Sequence, residues 1–255
     1  MKLAPALLLF PAFVAFAQGP PPAPGYHLTF DDNFDALNLS PTGFGSYKWY
    51  PGIWWDSGLP LPSLISTNNG VLNLAWSRNG GSTNTTISTL SRDRSQGSTF
   101  RFGYFEVRMK WDVVNGAWPA LWMLPKQAAQ GAQHTGEIDI FEAQGSEPRT
   151  FNGTLHEWNG RTNLWSNDPN WYILPADNDF SQWHIYGLLW TPGQITWYYD
   201  NQKLFSASTP AIFDQQDYFL VLGMQEGANW SEGNLWQVTA NTINMNVDWV
   251  RVWQQ

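Results

Sequence analysis

Glu137-Ile138-Asp139-Ile140-Phe141-Glu142 places three carboxylates among apolar residues in what reads as a buried strand. Removing that much negative charge from water is costly. Each group must be paired, hydrogen-bonded or held protonated, with its pKa displaced from the solution value. Three such groups together point to chemistry. Side chains at i and i+2 share a face of a strand, so Glu137 and Asp139 point the same way. Glu142, five positions from Glu137, falls on the opposite face of a regular strand. One extra residue, absorbed as a β-bulge near Ile140-Phe141, returns it to the face of the other two. The two Glu Cα atoms would then lie roughly 13 Å apart at about 3.3 Å per residue. Inward-leaning side chains could close that gap to the roughly 5–5.5 Å of a retaining glycosidase pair. The alternative is an acidic strand edge that merely faces water, and the flanking segments must decide between the two.

Just upstream, in Gly116 to Pro125, Trp118, Ala120 and Trp122 share one strand face, two wide rings with a small residue between them. They form a stacking floor for sugar rings, or else they are core residues facing a second sheet. Downstream, Thr154, His156 and Trp158 share a face. His156 is assigned to hydrogen bonding with a sugar or with a catalytic carboxylate. The chain has four His and no His–Asp–Ser spacing, so a serine hydrolase has little support. Arg78 is a candidate for outer sugar subsites.

The elements that must hold these residues read as β throughout. Gly, Pro, Asn and Asp punctuate the chain, and the intervals are rich in Val, Ile, Phe, Tyr and Trp, the pattern of a sandwich or barrel. Tyr104 to Trp111 alternates most strictly, with Phe105, Val107, Met109 and Trp111 on one face. Further strands are expected at 27–30, 71–76, 118–124, 137–142, 152–158, 184–190, 195–200, 218–224 and 245–253. No stretch sustains the spacing of a long amphipathic helix, and there is no repeat of fixed period.

Composition narrows the function classes. The 255 residues suffice for one large β domain. Lys and Arg total 13 against 21 Asp and Glu, and no basic run is present, which argues against nucleic acid and for a neutral partner. There is no Cys, so thiol catalysis and zinc–thiolate sites are excluded. Seventeen Trp exceed what packing favours, because a buried indole N–H needs a partner, and flat platforms for sugars would account for the surplus.

Residues 1–17 read as a secretory signal peptide: a charged start, a short apolar run and Ala15-Phe16-Ala17 before Gln18. That run falls short of the roughly 20 residues of a spanning helix, so no membrane association is expected. Residues 18–25 form a Pro/Gly-rich lead-in, and 26–255 a single catalytic domain.

Taken together, the chain resembles glycoside hydrolase family 16. The likeness is carried by Phe102 to Arg108, Trp118 to Pro125, Gly136 to Glu142, Gly153 to His156, Tyr186 to Pro192 and Val247 to Trp253, in the expected order. It implies a concanavalin-like β-jelly-roll sandwich of two curved antiparallel sheets, with a substrate cleft across the concave one. Residue by residue, it implies Glu137 as nucleophile, Glu142 as general acid/base and Asp139 as the carboxylate that tunes the nucleophile. Glu142 is expected to be the group with the raised pKa. The extra residue before Glu142 is similar to the bulged branch of laminarinases, agarases and galactanases. Gly223 departs from the Asn of many laminarinase-like members. Asp248, with the segment Phe30 to Phe34, resembles a structural calcium site in which Asn33 replaces the usual Glu, removing a charged oxygen ligand.

The expectation is a secreted, monomeric, retaining endo-β-glycanase that needs no cofactor and acts on a polysaccharide, β-1,3-glucan first. A β-galactan or agar-type hydrolase, a transglycosylase and a non-catalytic lectin on the same fold remain alternatives.

Overall fold

The computed structural model describes residues 24–56, 58–79, 84–167, 170–175, 179–226, 238 and 240–255. The signal-peptide reading of residues 1–17, and all but the last two residues of the lead-in, lie outside the described residues.

The strands in chain order are β1 (His27–Asp32), β2 (Tyr50–Pro51), β3 (Ile65–Asn68), β4 (Val71–Ser77), β5 (Asn84–Ser88), β6 (Gly103–Trp111), β7 (Ala117–Pro125) and β8 (His134–Ala143). They continue with β9 (Thr150–Asn159), β10 (Thr162–Ser166), β11 (Asn170–Ile173), β12 (His184–Thr191), β13 (Gln194–Tyr199), β14 (Gln202–Ser208), β15 (Tyr218–Glu226) and β16 (Thr242–Gln254). A four-residue helix, Lys126–Ala129, follows β7.

Two eight-stranded antiparallel sheets result. The back sheet runs β14-β13-β12-β6-β16-β4-β3, with β1 added to β16. The cleft sheet runs β10-β9-β8-β7-β15-β5-β2, with β11 added to β9. This is the expected sandwich. Chain neighbours such as β6 and β7 lie in different sheets, so the core is assembled from contacts distant in sequence.

The alternating residues of β6 do what their pattern predicts: Phe105, Val107, Met109 and Trp111 are buried between the sheets. They meet Leu121, Met123, Ile138, Ile140 and Phe141 from the cleft sheet in one core cluster. Burial of such large side chains is the main stabilising term, each worth about 1.5–3 kcal/mol. The other face of β6 is covered as well in its first half. Tyr104 and Glu106 are buried too, Tyr104 lying edge-on to Tyr198 and tilted against Trp253.

Much of the Trp surplus is core. Trp49, Trp76, Trp111, Trp190 and Trp197 are among the largest fully buried side chains, whereas Trp55, Trp118, Trp122 and Trp158 line the open face of the cleft sheet. Two of the buried indoles have identifiable partners, Trp49 donating to Asp32 at 2.8 Å and Trp197 to the Asp139 carbonyl at 3.0 Å.

Candidate active site

The register of β8 supplies the bulge that parity demands. Against β7, Leu121 pairs with Phe141 but Trp122 with Asp139. Against β9, Asp139 pairs with Thr154 and Glu142 with Asn152, with the shift lying between Asp139 and Glu142. Ile140 and Phe141 are both buried in the core, so two consecutive side chains point inward and Glu142 is returned to the outer face. Glu137, Asp139 and Glu142 consequently line one cleft.

The bulge leaves the Asp139 carbonyl outside the regular ladder, and the indole N–H of Trp197, reaching across from β13 in the back sheet, donates to it. Gly153 on β9 leaves room for that ring: a Cβ there would come within 2.1 Å of Trp197 Nε1.

Each carboxylate has a fixed neighbour. Trp158 Nε1 donates to Glu137 Oε2 at 2.9 Å, and Trp118 Nε1 to Glu142 Oε1 at 2.9 Å. His156, directly opposite Glu137, brings Nε2 to 3.4 Å from Asp139 Oδ2. Of the two uses expected of His156, the structure places it beside a carboxylate of the cluster. Trp118 combines a flat lining face with a hydrogen bond to the acid/base candidate.

All three carboxylates have raised pKa values, and burial is the largest cause for each. The charge of Asp139 raises Glu137 and Glu142 further, while His156 and the two indole bonds pull them down. Glu142 is thus not singled out, as the sequence reading expected. Glu137 is raised as well, and by the same main cause, burial in the cleft floor. Three simultaneous negative charges are disfavoured, so the cluster retains a proton into the neutral range.

The cleft extends to both sides of this cluster. On one side lie Trp55, Asp56, Asn84, Thr86, Trp122 and Gln225. On the other lie Asn152, Thr154, His156, Trp158, Ser166 and Asn167. Trp55, 53% exposed, leans on Trp122 with ring centroids 5.9 Å apart, and the two make a continuous aromatic wall. The loop bearing Trp55 is anchored by Arg92, which donates to the carbonyls of Asp56 and Gly58, and by Asp56 Oδ2, which accepts the Ile53 N–H. Burial raises the Asp56 pKa.

The sequence reading missed Trp55, Asp56, Asn84 and Gln225. The one available signal was the Trp54-Trp55-Asp56 triplet, which sits in a loop without periodicity.

Arg78 is not brought into these two lined regions. Its guanidinium donates to the carbonyls of Val238 and Ala240 and lies over the Trp76 ring. Gly223 pairs with Ala120 on the cleft floor, and a Cβ there would meet Thr86 Oγ1 at 2.9 Å. The Thr86 hydroxyl therefore takes the space that a larger side chain at position 223 would need.

Among the described residues, Glu137, Asp139 and His156 offer atoms within 4.8 Å of one another, close enough to hold a metal ion. All three line the same cleft. The expected calcium donors fit a dication poorly. Asp248 is ion-paired with Arg108, and the Asn33 side-chain oxygen accepts from Arg251, so both face a guanidinium.

Residues 62–251 match the profile of Glycosyl hydrolases family 16. The chain belongs to this family. Among family relatives, the glucan endo-1,3-beta-glucosidase A1 of Niallia circulans is 31% identical over 171 residues, 62% of this chain and 25% of its own length. A beta-glucanase of Rhodothermus marinus is 26% identical over 91% of this chain and 86% of its own. The catalytic domain of an endo-1,3-beta-glucanase (laminarinase) from Thermotoga petrophila superposes with a TM-score of 0.74 at 25% identity, covering 90% of this chain and 98% of that one. The chain spans between a quarter and a half of the length of several curated relatives that it matches. Among the described residues of this family 16 chain, no helix is long and apolar enough to cross a membrane.

Proposed function

We propose that the chain is a retaining endo-β-glycanase that cleaves internal bonds of a neutral β-1,3-glucan. The observation that carries this reading is the bulge-corrected alignment of Glu137, Asp139 and Glu142 in a cleft lined on both sides by indole rings and hydrogen-bonding side chains. Glu137 attacks the anomeric carbon while Glu142 gives its proton to the departing glycosidic oxygen, so that one C–O bond forms as the other breaks. Glu142, now a carboxylate, takes a proton from water. That water attacks the glycosyl-enzyme ester and releases Glu137. Asp139 sits between the two and disfavours their simultaneous ionisation.

A neutral substrate is supported by charge. The two lined regions carry Asp56, Glu137, Asp139 and Glu142, and the adjoining region that shares Trp55, Glu137 and Trp158 adds one cation, Arg161, so the carboxylates outnumber it and a sulfated or uronic chain would meet mostly like charge. β-1,3-Glucan as the linkage is supported by the names of the Niallia and Thermotoga relatives. We read the protein as secreted, on the pattern of residues 1–17, and as a monomer. Structural calcium is left out of the reading because Arg108 and Arg251 engage its expected donors.

The test is reducing-sugar release by the purified chain from laminarin, mixed-linkage glucan, agarose and carrageenan. Release from laminarin is expected. Binding to laminarin without release from any of the four would instead indicate a carbohydrate-binding protein.

A further inference from the structure

His156 touches Asp139 through one ring nitrogen, and its other nitrogen is also occupied. Asn163 Nδ2 lies 3.2 Å from His156 Nδ1. The placement of Asn163 follows from a second irregularity in the cleft sheet. β10 pairs Asn163 with Trp158, but Trp165 with Glu157, a shift centred on Leu164. In a regular register Trp165 would oppose His156 and compete with it for the cleft face. The extra residue instead sends Trp165 toward the core, where it packs against the main cluster, and leaves Leu164 exposed. Asn163 remains on the cleft face beside His156 and Trp158.

The two contacts of the ring are chemically linked. An ionised Asp139 accepts a hydrogen bond only if His156 Nε2 carries a proton, and in the neutral ring Nδ1 is then an acceptor. The amide of Asn163 is the group that can donate to it. We propose that Asn163 is a positioning residue that fixes His156 in the tautomer protonated at Nε2, so that the ring donates to Asp139. This rests on the reading of Glu137, Asp139 and Glu142 as the reacting cluster. The charged groups facing the ring come from β8, namely those three carboxylates, and β10 offers only neutral side chains. β10 therefore supplies, through Asn163, the contact that sets the tautomer of His156.

The test is long-range proton–nitrogen NMR of the 15N-labelled full chain, with His156 assigned among four His by a His156→Gln variant. The expected spectrum has His156 protonated at Nε2 and accepting at Nδ1. In Asn163→Leu the ring becomes a mixture of tautomers, and kcat on laminarin falls about fivefold, the worth of one net hydrogen bond, with KM within about twofold of the parent. A native ring protonated at Nδ1, or an unchanged tautomer in Asn163→Leu, would overturn the proposal. Both outcomes are read without turnover. Failure of the glycanase reading would instead appear as a native chain that releases no sugar.

Discussion

The indole N–H of Trp197, in the back sheet, donates to the carbonyl of Asp139, the central carboxylate residue of the cleft sheet, at 3.0 Å. This bond ties the hydrophobic core to the bulge that aligns the two Glu side chains. Trp197→Phe keeps most of the ring and removes the donor, leaving a buried carbonyl unpaired. A loss of about 1–3 kcal/mol in unfolding free energy is expected, accompanied by a fall in kcat with little change in KM. Urea unfolding and steady-state kinetics on the same preparation would check both.

The pH dependence follows from burial. Desolvation raises Glu137 above the ordinary carboxylate range, so its ionised form, the proposed nucleophile, accumulates only at higher pH than for an exposed Glu. His156 opposes the shift at both Glu137 and Glu142. Its replacement in His156→Gln should raise both groups and move the whole bell of kcat/KM to higher pH. An unmoved bell would show that His156 does not act on the pair electrostatically.

The indole bonds act on the same groups from the other side. Trp158→Phe removes the donor to Glu137 Oε2 and should move the acid limb upward, because a lost bond to the charged form disfavours it. Trp118→Phe removes the donor to Glu142 Oε1 and should move the basic limb upward while keeping an aromatic face for the sugar. The pH–rate profiles of the two variants should therefore differ in which limb moves.

Trp55 is exposed and packs against Trp122 at 5.9 Å, so its ring is expected to supply binding that is equal before and during reaction. Trp55→Ala should raise KM for long glucans roughly fivefold, for about 1 kcal/mol of aromatic contact, with kcat held. Comparison of laminarin with laminaritriose would locate the effect, which should fade for the shorter chain.

Glu106 makes stability itself pH-dependent. Burial in the back sheet pushes its carboxyl up to about 7, with Arg251 and Tyr104 pulling the other way. Unfolded, the group ionises near 4.5, so between these values the folded chain holds the extra proton and stability falls as pH rises. Glu106→Gln should lessen that slope and leave the protein more stable than its parent at pH 8. The raised cleft carboxylates contribute a slope of the same sign, which the variant retains. Denaturant midpoints from pH 4 to pH 8 would show the difference.

What the sequence made legible was whatever a period-two pattern carries. The alternation in β6 and the parity of Glu137 against Glu142 led directly to a core face and to a bulge at Ile140-Phe141, and both are found. The short or polar strands β2, β3, β5, β10, β11 and β14 were not anticipated, because segments such as Thr162–Ser166 have no apolar alternation and are held by their neighbours. The Trp197 to Asp139 bond spans 58 positions and two sheets, and no local pattern encodes it. Glu142 alone was expected to be raised, whereas burial raises Glu137 too, and that burial is set by neighbouring strands rather than by the local pattern. Arg78 was a candidate for the outer subsites, and its guanidinium donates to the carbonyls of Val238 and Ala240.

The most direct test of the account is mass spectrometry of the native chain quenched during turnover of a 2-fluoro-laminaribiosyl fluoride, whose glycosyl-enzyme hydrolyses slowly. The account predicts one added disaccharide, located by peptide mapping on Glu137. An adduct on Glu142, or no adduct in a preparation that hydrolyses laminarin, would contradict it.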